Sequence, residues 1–347
     1  MSVFSHPDFD GHERVLFATD PETGLRAIIA VHSTRLGPAA GGCRYWRYAS
    51  EEAAIADVLR LSRGMTYKNA VAGLDLGGGK AVILADPEKP KTPALMRAFG
   101  RAVDALGGAY WTAEDVGIEV ADMEAVHAST RFVAGLASGA HASGDPSPVT
   151  ARGVFEGMRR ALRVATGSDA LAGRTVAVQG LGHVGANLCA LLHGAGARLV
   201  VTDIDEGRIA KAVAAYDARA VAPAEIVAVE ADVFAPCALG GVLSEDAIAR
   251  LGAPIVAGAA NNQLADEDAA ERLLARGILY VPDFVINGGG IINVAREIAG
   301  SDDPAFVETR LSRMVDNLES ILIEARDAGV SPHDVAVRFA QRRLAGP

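Results

Sequence analysis

One stretch limits the folds open to this chain more than any other: TVAVQGLGHVGANLCALLHGAGARLVVTDID, residues 175–205. An apolar strand runs straight into Gly180, Leu181, Gly182, His183, Val184 and Gly185, and a helix opens at Ala186. The next apolar strand ends at Asp203, 23 residues after Gly180. Strand, G-x-G-x-x-G turn, helix, strand and acid together form the dinucleotide-binding context. Gly180 makes the turn, Gly182 admits a pyrophosphate to the backbone, and Gly185 lets helix and strand pack closely. The helix N-terminus offers N–H donors and the positive end of its dipole to phosphate. Asp203 would accept hydrogen bonds from a ribose, and an acid there disfavours a 2′-phosphate, so NAD is expected rather than NADP. His183 reads as a solvent-facing spacer in this loop. The competing reading is a glycine-rich turn without a ligand, which leaves the complete context unexplained.

The motif lies in the second half of a 347-residue chain, a length that suggests two domains. The run SGAHASGDPSPVT at 138–150 marks a break rich in small residues and proline. We therefore expect a substrate domain over 1–145 and a nucleotide domain over 146–324. In the first part, residues 25–32 and KAVIL (80–84) read as strands, and AYWTA (109–113) as another. SEEAAIADVLRLSRGMTYK (50–68) reads as a helix capped by Ser50, and TPALMRAFGRAVDAL (92–106) as a second. In the second part further strands are expected at 231–234, 254–257 and 278–282, with helices between them. This alternation predicts a doubly wound α/β domain with a parallel sheet. Two helices should close the chain, the last starting at Pro332 behind Ser331.

Composition removes several function classes. A net charge of −10 without a basic block argues against nucleic acid and anionic membranes as partners. Three widely spaced cysteines suit a reducing cytoplasm better than a disulfide framework. The N-terminus is unlike a signal peptide, and no apolar run is long enough to span a bilayer. The eight histidines form no H-E-x-x-H pair, so no metal site is expected.

The first part carries its own chemistry: Lys68 after GMTY, Lys80 after LGGG, and Asp115 after WTAE. GGGK is not a phosphate-binding loop. Leu74 stands where that motif needs glycine, and Ala81 offers no hydroxyl to a magnesium ion. Gly77, Gly78 and Gly79 instead strip side chains from around Lys80, which we read as clearance for a substrate. A lysine acts as a base only if burial or a neighbouring cation lowers its pKa from ~10.4, and we expect few other charges around it.

The stretches LGPAAGGCR, GMTYKNA, GLDLGGGKAVI, TAEDVG, DPSPVTARGV, VAVQGLGHVG, APCALGG, AGAANNQL and PDFVINGGGIINVARE cover residues from about 36 to 297. In them the chain resembles the Glu/Leu/Phe/Val dehydrogenase superfamily, most of all its leucine- and phenylalanine-type members. The resemblance implies an N-terminal α/β substrate domain, a C-terminal Rossmann NAD domain, a cleft between them, and a final helix, about 325–347, returning to the first domain. It implies that Lys68 binds the substrate carboxylate, with Gly41 and Gly42 close by. Lys80 is implied to be the catalytic lysine and Asp115 to carry protons, and we expect Lys80 to polarise the carbonyl oxygen and activate water. Thr150 would contact the nicotinamide, Asn262 the substrate amine and the cofactor, and Arg44 and Asn287 the cofactor or substrate. Ala40, Met65, Ala113, Ile291 and Val294 would line the side-chain pocket. That lining is apolar and holds no cation for a second carboxylate. The expected reaction is reversible NAD-dependent oxidative deamination of an aliphatic L-amino acid of leucine, valine or isoleucine type. Aromatic substrates are the alternative, and a non-catalytic NAD-binding homologue a remote one. The resemblance also implies a homo-oligomer.

Overall fold

The computed structural model describes residues 2–139, 141–238 and 240–346. The chain divides into two compact units. The first holds everything up to Pro146, together with Ile291–Val307 and the chain from Arg343 onward; the second holds Ser147–Gly290 and Glu308–Arg342.

The first unit is built on β1 (Arg14–Asp20), β2 (Leu25–Ser33), β3 (Ala39–Trp46), β4 (Gly77–Leu84) and β5 (Tyr110–Ala113), with α1 (Glu51–Val71), α2 (Pro93–Asp104) and α3 (Val120–His127). The strand order is β1-β2-β4-β3-β5. β2 runs antiparallel to β1 and β4, whereas β3 runs parallel to β4 and β5. Side chains alternate along each strand, so the two faces take different partners. Ala81 and Ile83 share a core with Met96 and Phe99 of α2 and with Met123 and Val126 of α3. Val82, Ile28 and Ala30 meet Ala54, Val58 and Leu59 of α1. Lys80 alternates with Ala81 and therefore stands on the α1 face. Ser50 caps α1, its hydroxyl oxygen accepting from the Ala53 N–H at 3.1 Å.

The sequence did not announce β1 or β3. β3, AAGGCRYW, contains two glycines and reads as a loop; it is a strand because β4 and β5 supply ladders on both sides. β4 begins three residues before the expected KAVIL, inside the glycine run. This corrects our reading of those glycines. A Cβ on Gly78 would lie 2.1 Å from the Thr66 nitrogen of α1, one on Gly77 2.0 Å from the Ser33 oxygen, and one on Gly79 2.7 Å from the Tyr110 ring. The chain itself fills the clearance. It lets α1 approach the sheet, and the buried Asn69 side chain seals the contact by donating to the Gly77 carbonyl at 2.6 Å.

The second unit contains α4 (Ser147–Thr166), β6 (Thr175–Gln179), α5 (His183–Gly194), β7 (Arg198–Thr202), α6 (Glu206–Tyr216), β8 (Arg219–Ala220) and β9 (Val233–Pro236). It continues through α7 (Glu245–Arg250), β10 (Ile255–Val256), α8 (Ala269–Ala275), β11 (Leu279–Tyr280) and α9 (Asp283–Ile286). α10 (Gly289–Ile298), α11 (Phe306–Ala328) and α12 (Pro332–Ala345) complete the chain. The sheet order is β11-β10-β9-β6-β7-β8, with all strand pairs parallel. This is the doubly wound dinucleotide order, and it reverses between β6 and β9, where such folds bind ligand.

The division of the chain differs from the sequence reading in two places. Residues 291–307, read there as nucleotide domain, group with the first unit, because α10 is bonded into it. Glu297 accepts from the Gly135 N–H at 2.8 Å and the Ser143 hydroxyl at 2.8 Å, and Asn293 donates to the Ser143 carbonyl at 2.9 Å. Of the last helix, the part up to Arg342 groups with the second unit and the end from Arg343 with the first. Arg343 donates to the carbonyls of Ala70 and Leu74 at 2.6 and 2.9 Å.

Two glycine replacements near this contact should act in opposite directions. Gly78→Ala forces α1 off β4 and should lower stability by about 1–3 kcal/mol or more. Gly64→Ala, in mid-α1 with nothing within 4 Å of the new methyl, should raise it by about 0.5–1 kcal/mol. Urea unfolding of the two variants measures both.

Candidate active site

Lys80 sits mid-strand in β4, 6% exposed, and its ammonium pairs with the carboxylate of Asp115 just beyond β5. Gly42 of β3 makes the approach of Asp115 possible, since a Cβ there would lie 2.9 Å from the Asp115 Cβ and 2.4 Å from the Glu114 oxygen. Two residues along β3, Arg44 stands with its Nε 3.6 Å from Asp115 Oδ2, while its Nη1 donates to Asp57 of α1 at 2.9 Å. The Tyr48 hydroxyl donates to the same Asp57 oxygen at 2.6 Å. Burial works against ionisation of Asp115, but Lys80 and then Arg44 outweigh it and hold the carboxyl below its ordinary range. Burial and Asp57 together push the Tyr48 phenol up, so it stays a donor. The expectation of few charges around Lys80 is thus corrected: its surroundings are an alternating run of carboxylates and cations. Sequence reasoning missed Asp57 and Tyr48. The available signal was Asp57 itself, an acid next to Val58 on the buried side of an amphipathic helix.

The other expected substrate residues, except Asn262, lie in this unit. Met65 and Lys68 are half-buried on α1, three residues apart. A Cβ on Gly41 would come within 3.0 Å of Met65 Cγ, so strand and helix touch there. Ala40 is fully buried and pairs with Gly78 and Trp111 across the sheet. Ala113 pairs with Gly42. Ile291 and Val294 are buried on α10, three residues apart.

The glycine loop forms the second constellation. α5 starts at His183, three residues earlier than expected, with Gly182 as its N-cap. Gly180 has φ +96° and abuts Ala238, and a Cβ on Gly185 would lie 2.0 Å from the Gly180 oxygen. A Cβ on Gly182, by contrast, would meet nothing within 4 Å beyond its chain neighbours. The loop is closed at two glycines and open at the one expected to face a pyrophosphate. His183 and Ala186 are exposed, Val184 is half-buried and Leu181 is buried. Asp203 accepts from the Leu181 N–H at 2.6 Å and the Asp205 N–H at 2.9 Å. Burial would raise its pKa, but these donors and Arg208 hold it low, so it is an anionic acceptor. These residues fit a dinucleotide with a free ribose diol.

Thr150 is buried in the first turn of α4, beside the position of Gly289. Asn262 is exposed with φ +52°, a left-handed conformation that asparagine tolerates. Asn287 donates to Asn261 Oδ1 at 2.8 Å and to the Ala259 carbonyl at 3.1 Å. The structure thus keeps Thr150, Asn262 and Asn287 with the glycine loop's unit. Arg44, expected to touch cofactor or substrate, is engaged by Asp57 and Asp115.

Residues 12–132 match the model described as Glu/Leu/Phe/Val dehydrogenase, dimerisation domain, and residues 143–213 and 201–346 match Glutamate/Leucine/Phenylalanine/Valine dehydrogenase. The chain belongs to the Glu/Leu/Phe/Val dehydrogenase family. It is 48% identical over 344 residues to leucine dehydrogenase of Geobacillus stearothermophilus, covering 99% of this chain and 94% of that one. Valine dehydrogenase of Streptomyces virginiae is 46% identical, with 99% and 97% covered. Among solved structures, L-tryptophan dehydrogenase of Nostoc punctiforme aligns with a TM-score of 0.84 and 44% identity over 96% of each chain. The hetero-hexameric glutamate dehydrogenase of Thermus thermophilus shares the fold at TM-score 0.78, covering 96% of this chain and 88% of that one.

Within this family member the two glycines of the loop can be told apart. Gly182→Ala should leave thermal unfolding nearly unchanged and weaken dinucleotide binding. Gly185→Ala should lower the unfolding temperature, because its methyl meets backbone. Calorimetric melting and NADH titration check the pair.

Proposed function

We propose that the protein catalyses reversible oxidative deamination of an apolar L-amino acid of leucine, valine or isoleucine type. An amino acid, NAD+ and water give the 2-oxo acid, ammonium, NADH and a proton. The Lys80–Asp115 pair carries this reading: a buried cation and carboxylate in contact, on the unit that also holds Lys68. Leucine and valine dehydrogenases matching the whole chain support it. The apolar positions Ala40, Met65, Ala113, Ile291 and Val294 support an uncharged substrate side chain. The small Ala40, and the similarity to tryptophan dehydrogenase, favour an aromatic substrate as the second reading. The intact Lys80–Asp115 pair speaks against a homologue without turnover.

The roles divide by residue. The Lys68 ammonium holds the substrate carboxylate and fixes the α-carbon. Lys80 Nζ, once it has given up its proton, takes one from the attacking water and, as the ammonium so formed, polarises the carbonyl oxygen. Asp115, held as a carboxylate, receives and returns the proton of the substrate amine. Gly180–Gly185 and Asp203 hold NAD, with Thr150, Asn262 and Asn287 assigned to its nicotinamide end and the substrate amine. When bound, NAD supplies the hydride acceptor, and the protein supplies placement.

A homo-oligomer is part of the proposal, supported by the dimerisation-domain match. So is the cytoplasm, since Cys43, Cys189 and Cys237 are free thiols. No helix among the described residues is long and apolar enough to cross a membrane.

NADH absorbance with single L-amino acids should show the highest kcat/KM for a branched aliphatic substrate. A higher value for phenylalanine or tryptophan would select the aromatic reading. Lys80→Ala should bind NADH normally and lose turnover by about 10²-fold or more. Lys68→Ala should raise KM steeply as well as lower kcat, because the substrate carboxylate loses its cation. Near wild-type turnover by Lys80→Ala would overturn the assignment.

A further inference from the structure

Lys80 and Asp115 are the end of a longer run of charge. Tyr48 OH donates to Asp57 Oδ2 at 2.6 Å, and Arg44 Nη1 donates to the same oxygen at 2.9 Å. The other edge of that guanidinium, its buried Nε, faces Asp115 Oδ2 at 3.6 Å, and Asp115 meets Lys80. The order is hydroxyl, carboxylate, guanidinium, carboxylate, ammonium. Side-chain exposure falls along it, from 26% at Asp57 through 20% at Arg44 and 16% at Asp115 to 8% at Lys80.

We propose that Asp57, acting through Arg44, is a positioning residue that sets how tightly the Lys80–Asp115 pair holds its proton. The inference rests on that pair being the catalytic one. Arginine's planar fork is well shaped for this, because a guanidinium held at Nη1 presents Nε in a fixed direction. Asp57 is equally fixed, since it lies on α1, and α1 is locked to β4 at Gly78 and Asn69. Asp57 neutralises part of the Arg44 charge that Asp115 feels, and so moderates it. A half-exposed structural ion pair would do none of this and would contribute little.

Other charged and titratable groups near Asp115 are accounted for. On β3 and β5, burial pushes the Cys43 thiol and the Tyr110 phenol up, away from neutrality. Glu114 precedes Asp115 and is pushed up by burial and then by Asp145. Lys91 and Asp122 pair with one another toward α3. On α1, Lys68 lies roughly three helical turns beyond Asp57.

The signs are opposite for the two partners. Asp57→Asn leaves Arg44 uncompensated, so the pair releases its proton more readily. Arg44→Gln removes a cation beside Asp115, so the pair holds its proton more tightly. In the pH profile of kcat/KM for deamination, the midpoint of the ascending limb should fall by roughly 0.5 unit in Asp57→Asn. It should rise by about 1 unit in Arg44→Gln. The double variant should match Arg44→Gln, because Asp57 then has no guanidinium to act through. Unchanged midpoints, or shifts in the same direction, overturn the inference. Arg44→Gln tests the sign by itself if Asp57→Asn does not fold. Lys80→Ala is run alongside. If it keeps turnover, the underlying catalytic assignment fails. If it is inactive while the midpoints stay in place, the inference alone fails.

Discussion

The approach of α1 to β4 is the contact on which the first unit depends. It exists because Gly78 has no side chain, and Thr66 occupies the space. Several residues of the candidate chemistry hang from one side or the other of that seam. Lys80 projects from the strand, while Asp57, Met65 and Lys68 ride on the helix. A shift of α1 by even one methyl diameter would change several of these positions together. Asn69, fully buried and bonded to Gly77, adds a polar lock to the apolar seam.

The second unit meets its requirement differently. There the proposed site is one of backbone, with side chains mostly removed. The tight points are at Gly180 and Gly185, and the open one at Gly182. Asp203 ties the loop to the end of β7 through the Leu181 N–H, so the acceptor expected for a ribose also braces the turn. On the proposed role, cofactor preference and loop geometry are therefore tied to the same side chain.

The sequence revealed what is written contiguously. The glycine loop, Asp203, Lys80 and Asp115 all sit inside short motifs whose chemistry is readable from adjacent residues. The doubly wound second sheet followed from alternating periodicities. Strand β3 was hidden because its glycines, which lower strand propensity, are required by the packing of Met65, Gly79 and Glu114 against it. The role of Gly77–Gly79 was inverted for a related reason: a sequence shows that space is left, not what fills it. The Arg44–Asp57 pair was hidden because its partners lie on different elements. Only the folded register brings β3 and α1 into line. The allegiance of α10 was hidden by range, since Glu297 bonds a loop more than 150 residues earlier.

That allegiance bears on how such a protein could be recombined. Ala40, Met65 and Ala113 belong to the first stretch of chain, but Ile291 and Val294 reach the same unit only after the chain has traversed the other one. A graft that exchanged residues up to Pro146 alone would carry three of the five positions assigned to the side-chain pocket and leave two behind. A transplant of substrate preference needs a second junction between Gly290 and Ile291, inside helix α10. With the pocket assigned this way, the unit of inheritance for specificity is discontinuous, whereas the glycine loop and Asp203 can travel as one uninterrupted segment.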